Sequence, residues 1–157
     1  MMNKSKIINI NDICWESWQH EERYASEQKH IGDTAGGEKI GVTMERLAPG
    51  KSSSVAHYHT KEEEHIYAMH GEATLYIDGE AHPFSQGEYI CFNADTGISH
   101  NLVNHSEQDF VFLVVGNRDI HDVVVYPENN KVLVKSVNEV YAKRPTNYWD
   151  KDGVENQ

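Results

Sequence analysis

Gly50-Lys-Ser-Ser-Ser-Val-Ala-His57-Tyr-His59-Thr-Lys-Glu-Glu-Glu64-His-Ile-Tyr-Ala-Met-His-Gly71 is the stretch from which the rest of this chain is read. Side chains two apart on an extended strand share a face, so His57 and His59 project the same way. Four residues then allow a turn, after which Glu64 opens a second strand, Glu-His-Ile-Tyr-Ala-Met. That turn brings a carboxylate back beside two imidazoles. Neutral imidazole and carboxylate suit a divalent first-row metal, and an incomplete shell leaves positions open for substrate. The plainer alternative is three polar side chains on solvated loops and edges. The glycines that punctuate both ends favour a built site.

These residues resemble the first motif of the cupin superfamily: Gly, five residues, His-x-His, three or four residues, Glu, six residues, Gly. The chain departs from it once, with six residues between Gly50 and His57. The second cupin motif has a counterpart in Gly87-Glu-Tyr-Ile-Cys-Phe-Asn-Ala-Asp-Thr-Gly97-Ile-Ser-His100-Asn-Leu-Val-Asn104. It lacks the motif proline and carries two extra residues before His100. With Gly97 as the motif glycine, the insertion falls before Asp95. The resemblance implies His100 as a fourth ligand beside His57, His59 and Glu64. It also implies one divalent ion (Zn, Mn, Fe or Ni) as cofactor. The run Val115-Gly-Asn-Arg118 to Tyr126-Pro127, Lys131-Val-Leu-Val134 and Tyr148-Trp149-Asp150 is similar to a group of small single-domain cupins with varied or unassigned activities.

From Ile40 onward the texture is all-β. Ile40 to Leu47 reads as a strand and Pro49-Gly50 as a turn. Asp78-Gly79, between Ala73–Ile77 and Glu80–Phe84, signals a two-residue hairpin. Glu88 to Phe92 is another strand. Asp109 to Val115 is apolar on both faces and should be central, while Asp122–Tyr126 and Lys131–Lys135 flank a second turn. Short, closely spaced strands of this kind predict a jelly-roll or double-stranded β-helix barrel over about residues 40–135. The terminal segments would then pack outside it, all within one domain spanning 1–157. The N-terminal region reads as a short strand-like piece (Ile7, Ile8, Ile10), then Trp15 and Trp18, then a loop or short helix over 19–39. The tryptophans suit a sealed core edge or, alternatively, a stacking platform for a sugar. The last five or so residues are expected to fray.

Composition excludes several classes. With 38% apolar residues and no run long enough to span a bilayer, no membrane association is expected. The formal net charge of −11, without a basic cluster, makes nucleic acid an unsuitable partner. The first ten residues lack a secretory signal's apolar region, and Cys14 and Cys91 have no paired spacing. A reduced, cytoplasmic protein is the resulting expectation. Apolar strand faces and terminal aromatics predict a homodimer.

The remaining histidines and acids divide by parity. His65 should face away from Glu64, and His105 is at odd spacing from His100, so neither suits ligation. His70 turns inward by alternation near a strand end, and His82, before Pro83, should be exposed. Glu62 or Glu63 would replace Glu64 if the turn were shorter. No general acid or base emerges: Tyr67, Tyr76 and Tyr89 are candidates by residue type alone. Three function classes follow. One is a metal-dependent isomerase, epimerase or lyase acting on a sugar, sugar acid or similar small polar molecule. The others are an iron-dependent dioxygenase and a non-catalytic small-molecule-binding module.

Overall fold

The computed structural model describes residues 6–149. The expected fraying of the last residues and the motif position Asp150 fall outside them. A hairpin of β1 (Glu16–His20) and β2 (Tyr24–His30) leads through a short helix, α1 (Ile31–Ala35), into β3 (Ile40–Leu47). β4 (Tyr58–His59) and β5 (Glu64–His70) carry the first motif. β6 (Glu72–Ile77), β7 (Glu80–Ser85), β8 (Tyr89–Phe92) and β9 (His100–Val103) follow. The chain closes with β10 (Phe110–Asn117), β11 (Val123–Tyr126), β12 (Lys131–Val134) and β13 (Glu139–Ala142).

The strands build an all-β jelly-roll barrel. One wall has the order β1-β2-β3-β10-β5-β8, and the facing side is made of β7-β6-β9 and β13-β12-β11-β4. A bridge from His57, next to β4, to His100 of β9 joins those two smaller sheets, and Ser52 bridges Val103 of β9 to Tyr24 of β2. As its apolar run predicts, β10 is central, paired with both β3 and β5. Its inward residues Phe110 and Phe112 meet Leu47, Ile66, Ala68, Leu75 and Leu102 in one buried cluster. Each of the Leu, Ile and Phe side chains contributes about 1.5–3 kcal/mol by leaving water.

The motif glycines have separate reasons. Gly71, with φ of 78°, turns β5 into β6 where a Cβ would lie 2.6 Å from the Asp109 carbonyl oxygen. Gly79 and Gly97 supply positive φ in the 78–79 hairpin and in the insertion before His100.

The N-terminal region differs from expectation. Ile10–Asp12 is a 3-10 turn capped by the Asn9 side chain, and no strand covers Ile7 or Ile8. The short helix expected within 19–39 is present as α1, but β2 also occupies Tyr24–His30 of that segment. β1 is exposed along its length, and β2 turns Ser26 and Gln28 toward Glu45. Neither strand offers the apolar alternation by which strands are recognised. Trp15 has its ring against Lys29 and Arg46, at 4.8 and 4.6 Å, as a sealed edge would, whereas Trp18 is exposed. Among the described residues no helix is long and apolar enough to cross a membrane.

Candidate metal centre

The four sequence-predicted residues arrive from both sides of the barrel mouth. His57 and His100 are direct cross-strand partners, exchanging backbone hydrogen bonds of 3.1 and 2.9 Å. Opposed residues of an antiparallel pair point the same way, which places their rings 4.9 Å apart. His59, two residues beyond His57, has its ring 5.2 Å from that of His57. Glu64 opens β5 on the opposite wall, facing in with Ile66 and Ala68. One carboxylate oxygen lies 3.1 Å from His100 Nε2 and the other 3.6 Å from His59 Nε2. Donor atoms of His57, Glu64 and His100 all lie within 4.8 Å of one another.

The extra residues before His100 are absorbed in a surface turn. Asp95 and Gly97 take positive φ, and the Asp95 amide donates to the His59 carbonyl at 2.9 Å. The insertion is thus fastened to the strand it spans, and His100 reaches the cluster.

Ring orientation is set by partners behind the cluster. His57 Nδ1 lies 2.8 Å from the Val55 carbonyl, a contact that places the proton on Nδ1 and the lone pair on Nε2. His59 Nδ1 meets Asp122 Oδ2 at 2.7 Å, directing its Nε2 at Glu64. Asp122 is fully buried, and its other oxygen accepts from the amides of Thr60 and Lys61 at 3.0 and 2.9 Å. Lys135 Nζ adds a contact at 3.2 Å. His100 stacks on Phe92 at 3.7 Å, and its Nδ1 is buried with no hydrogen-bond partner.

Electrostatics follow from this layout. Burial lowers His57 to about 4 despite the attraction of Glu64, so its imidazole is neutral across the physiological range. Burial also acts to lower His59, but the carboxylates of Glu64 and Asp122 win and raise it. Burial opposes ionisation of Glu64, yet the hydrogen bond from His100 and the neighbouring His59 ring hold it well below the usual carboxylate range. Asp122 likewise resists its burial penalty through His59 and the Lys61 amide, and falls to about 2. Three imidazoles and an ionised carboxylate form a donor set that fits a divalent first-row ion.

A group that sequence reasoning missed lies beneath the cluster. Glu45, on β3, lines a cavity of about 260 Å³ together with His57, Glu64 and His100. Its oxygens accept from Ser26 Oγ at 3.2 Å and Gln28 Nε2 at 3.0 Å. Burial raises it to about 7; those two hydrogen bonds counter part of the rise and the Glu64 charge adds to it. Alternation along β3 was the available signal, since Glu45 shares the face of Leu47. Tyr126 is the other omission: half-buried, its ring is 6.0 Å from that of His57.

The remaining candidates fall outside the cluster. Tyr67 and Tyr89 are exposed, and Tyr76 is bonded on the outside to His105 at 3.1 Å. His70 and His82 are exposed as well, so the inward turn suggested for His70 does not occur. Glu62 lies behind His59, 3.7 Å from its Nδ1, and pairs with Lys135 and the Asp119 amide, while Glu63 faces outward to His65. A groove of about 730 Å³ opens over the site between Thr43, His59, Glu64, Gly116, Arg118 and Lys135.

Residues 43–116 match the family model of the cupin domain. That segment of the barrel is a cupin domain. Among solved structures the chain is similar to a candidate sugar phosphate isomerase from Acidithiobacillus ferrooxidans, at 29% identity and a TM-score of 0.78. That match covers 84% of this chain and 85% of the other. It is also similar to a sugar phosphate isomerase of the cupin superfamily from Silicibacter pomeroyi, at 26% identity and TM-score 0.74, covering 81% and 85% of the two chains. The polyketide cyclase RemF from Streptomyces resistomycificus shares the fold at 24% identity and TM-score 0.60, over 73% and 80%. No curated protein matches the chain.

Proposed function

We propose that this cupin is a divalent-metal-dependent enzyme that isomerises or epimerises a small polyhydroxylated carbonyl substrate. The observation that carries this reading is Glu45: a part-buried carboxylate raised to about 7, in the same cavity as His57, Glu64 and His100. A general base works best with a pKa near the operating pH. The similarity to structures described as sugar phosphate isomerases supports the substrate class.

In this reading His57, His59, Glu64 and His100 hold one divalent ion, which when bound supplies Lewis acidity toward a hydroxy-carbonyl group. Glu45 removes a proton from the hydroxyl-bearing carbon beside the carbonyl. Returned to the former carbonyl carbon, as the hydroxyl proton passes to the carbonyl oxygen, it completes isomerisation, whereas return to the same carbon on its opposite face gives epimerisation. Ser26 and Gln28 hold the carboxylate in place for both transfers. The apolar floor of Ile66 and Phe112 keeps water from the proton. We further propose a homodimer, supported by the exposed Val140 and Tyr141 on edge strand β13, which light scattering would test.

The test is proton exchange. Metal-loaded protein incubated with a panel of aldoses and ketoses in deuterated water should place deuterium beside the carbonyl. Glu45→Gln should abolish incorporation while retaining stoichiometric metal. Ligand binding without exchange in the wild type would make the chain a binding module. Oxygen consumption by the iron-loaded form would make it a dioxygenase.

A further inference from the structure

The outer face of β5 and β8 carries a second cluster of donors, separated from the barrel interior by the sheet itself. Strand register pairs His65 directly with Cys91, one position along from the inward pair Glu64 and Phe92. His65 Nε2 lies 2.7 Å from Glu63 Oε1 and 3.8 Å from Cys91 Sγ. Donor atoms of Glu63, His65 and Cys91 are all within 4.8 Å of one another. The other ring nitrogen, Nδ1, is held by the Tyr89 hydroxyl, so the imidazole is oriented with Nε2 toward the thiol and the carboxylate. The Glu63 amide is pinned by Asn117 Oδ1 at 2.8 Å, and Asn93 Oδ1 lies 3.3 Å from Cys91 Sγ.

We propose that Glu63, His65 and Cys91, with Asn93 Oδ1 as a fourth donor, form a second metal site for a borderline-soft divalent ion such as zinc. Four donors of sulfur, nitrogen and oxygen suit tetrahedral coordination, and the thiol supplies the selectivity that an all-oxygen surface cluster lacks. Binding displaces the Cys91 proton to solvent and leaves the thiolate on the ion. A ligating imidazole whose second nitrogen is fixed by a neighbour is the usual outer-shell arrangement of protein metal sites, and Tyr89 takes that part. With ligands on both strands, the ion would staple β5 to β8 beside Glu64. This site is distinct from the interior centre: none of its donors lines the inner cavity, and only Glu63 also borders the groove above.

The probe is Co(II), whose thiolate complexes absorb strongly in the near ultraviolet, with Zn(II) as competitor. Metal-free wild type should develop the thiolate band, and so should the His57→Ala/His59→Ala variant, in which the interior site is disabled. Cys91→Ser should lose the band and bind one ion fewer. Tyr89→Phe should weaken binding roughly ten- to hundredfold, the range for outer-shell partners. In unmutated protein, Zn(II) should slow alkylation of Cys91 but not of the exposed Cys14, read on separate peptides by mass spectrometry. Absence of the thiolate band, its persistence in Cys91→Ser, or Cys91 alkylation indifferent to zinc would overturn the proposal.

Discussion

Asp122 Oδ2 accepts a 2.7 Å hydrogen bond from His59 Nδ1 across a sequence separation of 63 residues. The Thr60 and Lys61 amides hold the same carboxylate on its other oxygen. This links β11 to the first motif and fixes which nitrogen of His59 faces the cluster. Asp122→Asn places an amide of ambiguous polarity there and weakens ring orientation. Metal affinity should fall roughly ten- to hundredfold, measured by competition with a chromophoric chelator. Unchanged affinity would show that Asp122 serves stability alone.

Acid should expel the interior metal through His59 before His57. His59 is raised above its ordinary value, whereas His57 is lowered to about 4. As pH falls from neutrality, His59 takes up a proton first and competes with the ion. Occupancy should therefore decline as pH falls, beginning above the ordinary histidine range because His59 is raised. The His57→Ala/His59→Ala variant should bind no interior metal at any pH, while His105→Ala should titrate like wild type. Elemental analysis after dialysis at stepped pH measures both, and loss of interior metal from His105→Ala would reassign the fourth ligand.

Much of this arrangement was legible because it follows from short-range rules. The His57–His59 spacing, the Asp78-Gly79 turn and the apolar run of β10 each fix a local geometry that the barrel then uses. Asp122 was hidden because its partners lie far off in sequence and nothing local marks a buried acid among valines. Glu45 was hidden for a different reason: it interrupts Ile40–Leu47 as a charge, and a charge in a strand reads as solvent-facing. Only the polar inward face of β2, itself lacking apolar alternation, makes that burial tolerable. Strand alternation did place His65 on the outer face, but could not show that Cys91 would be its cross-strand neighbour.

Gly116 is a structural constraint on the site. It pairs with Glu64 in the β10–β5 register, and a Cβ there would lie 2.7 Å from the Glu63 carbonyl oxygen. Gly116→Ala must push apart backbone, not a flexible side chain, at a cost of about 1–3 kcal/mol. Because the displaced strand carries Glu64, thermal stability and interior metal affinity should fall together. Calorimetry beside a metal titration tests this, and lost stability with intact affinity would uncouple the two.

Charge at the groove predicts discrimination against phosphorylated ligands. Its two cations are already engaged, Lys135 with Glu62 and Asp122, and Arg118 with Asp33. Glu62, Glu63 and Asp119 line the same opening. A phosphate ester would have to break those pairs or meet the carboxylates. An unphosphorylated aldose should bind metal-loaded protein at least about tenfold more tightly than its terminal phosphate, a difference of roughly 1.4 kcal/mol. Tighter binding of the phosphate by calorimetry would reverse this assignment and align the chain with the named function of its structural neighbours.

Glu45 should cost stability where it is most useful. Its folded pKa of about 7 lies above the ordinary 4.5, so the native state holds a proton that the unfolded chain releases. For a raised group, the associated stability is fully present below about pH 4.5 and is lost as pH rises through about 7. Metal-free wild type should therefore lose stability across that window, on the order of 1–3 kcal/mol from this group. Glu45→Gln keeps the shape, an acceptor for Ser26 and no charge, and should flatten the profile. Above pH 7 the variant should be the more stable protein while being inactive in proton exchange, the trade expected when a buried ionisable group is kept for chemistry. Denaturant melts of both proteins at pH 5 and pH 8 supply the comparison. A variant less stable than wild type at pH 8 would mean that the carboxylate is there to hold β2 against β3.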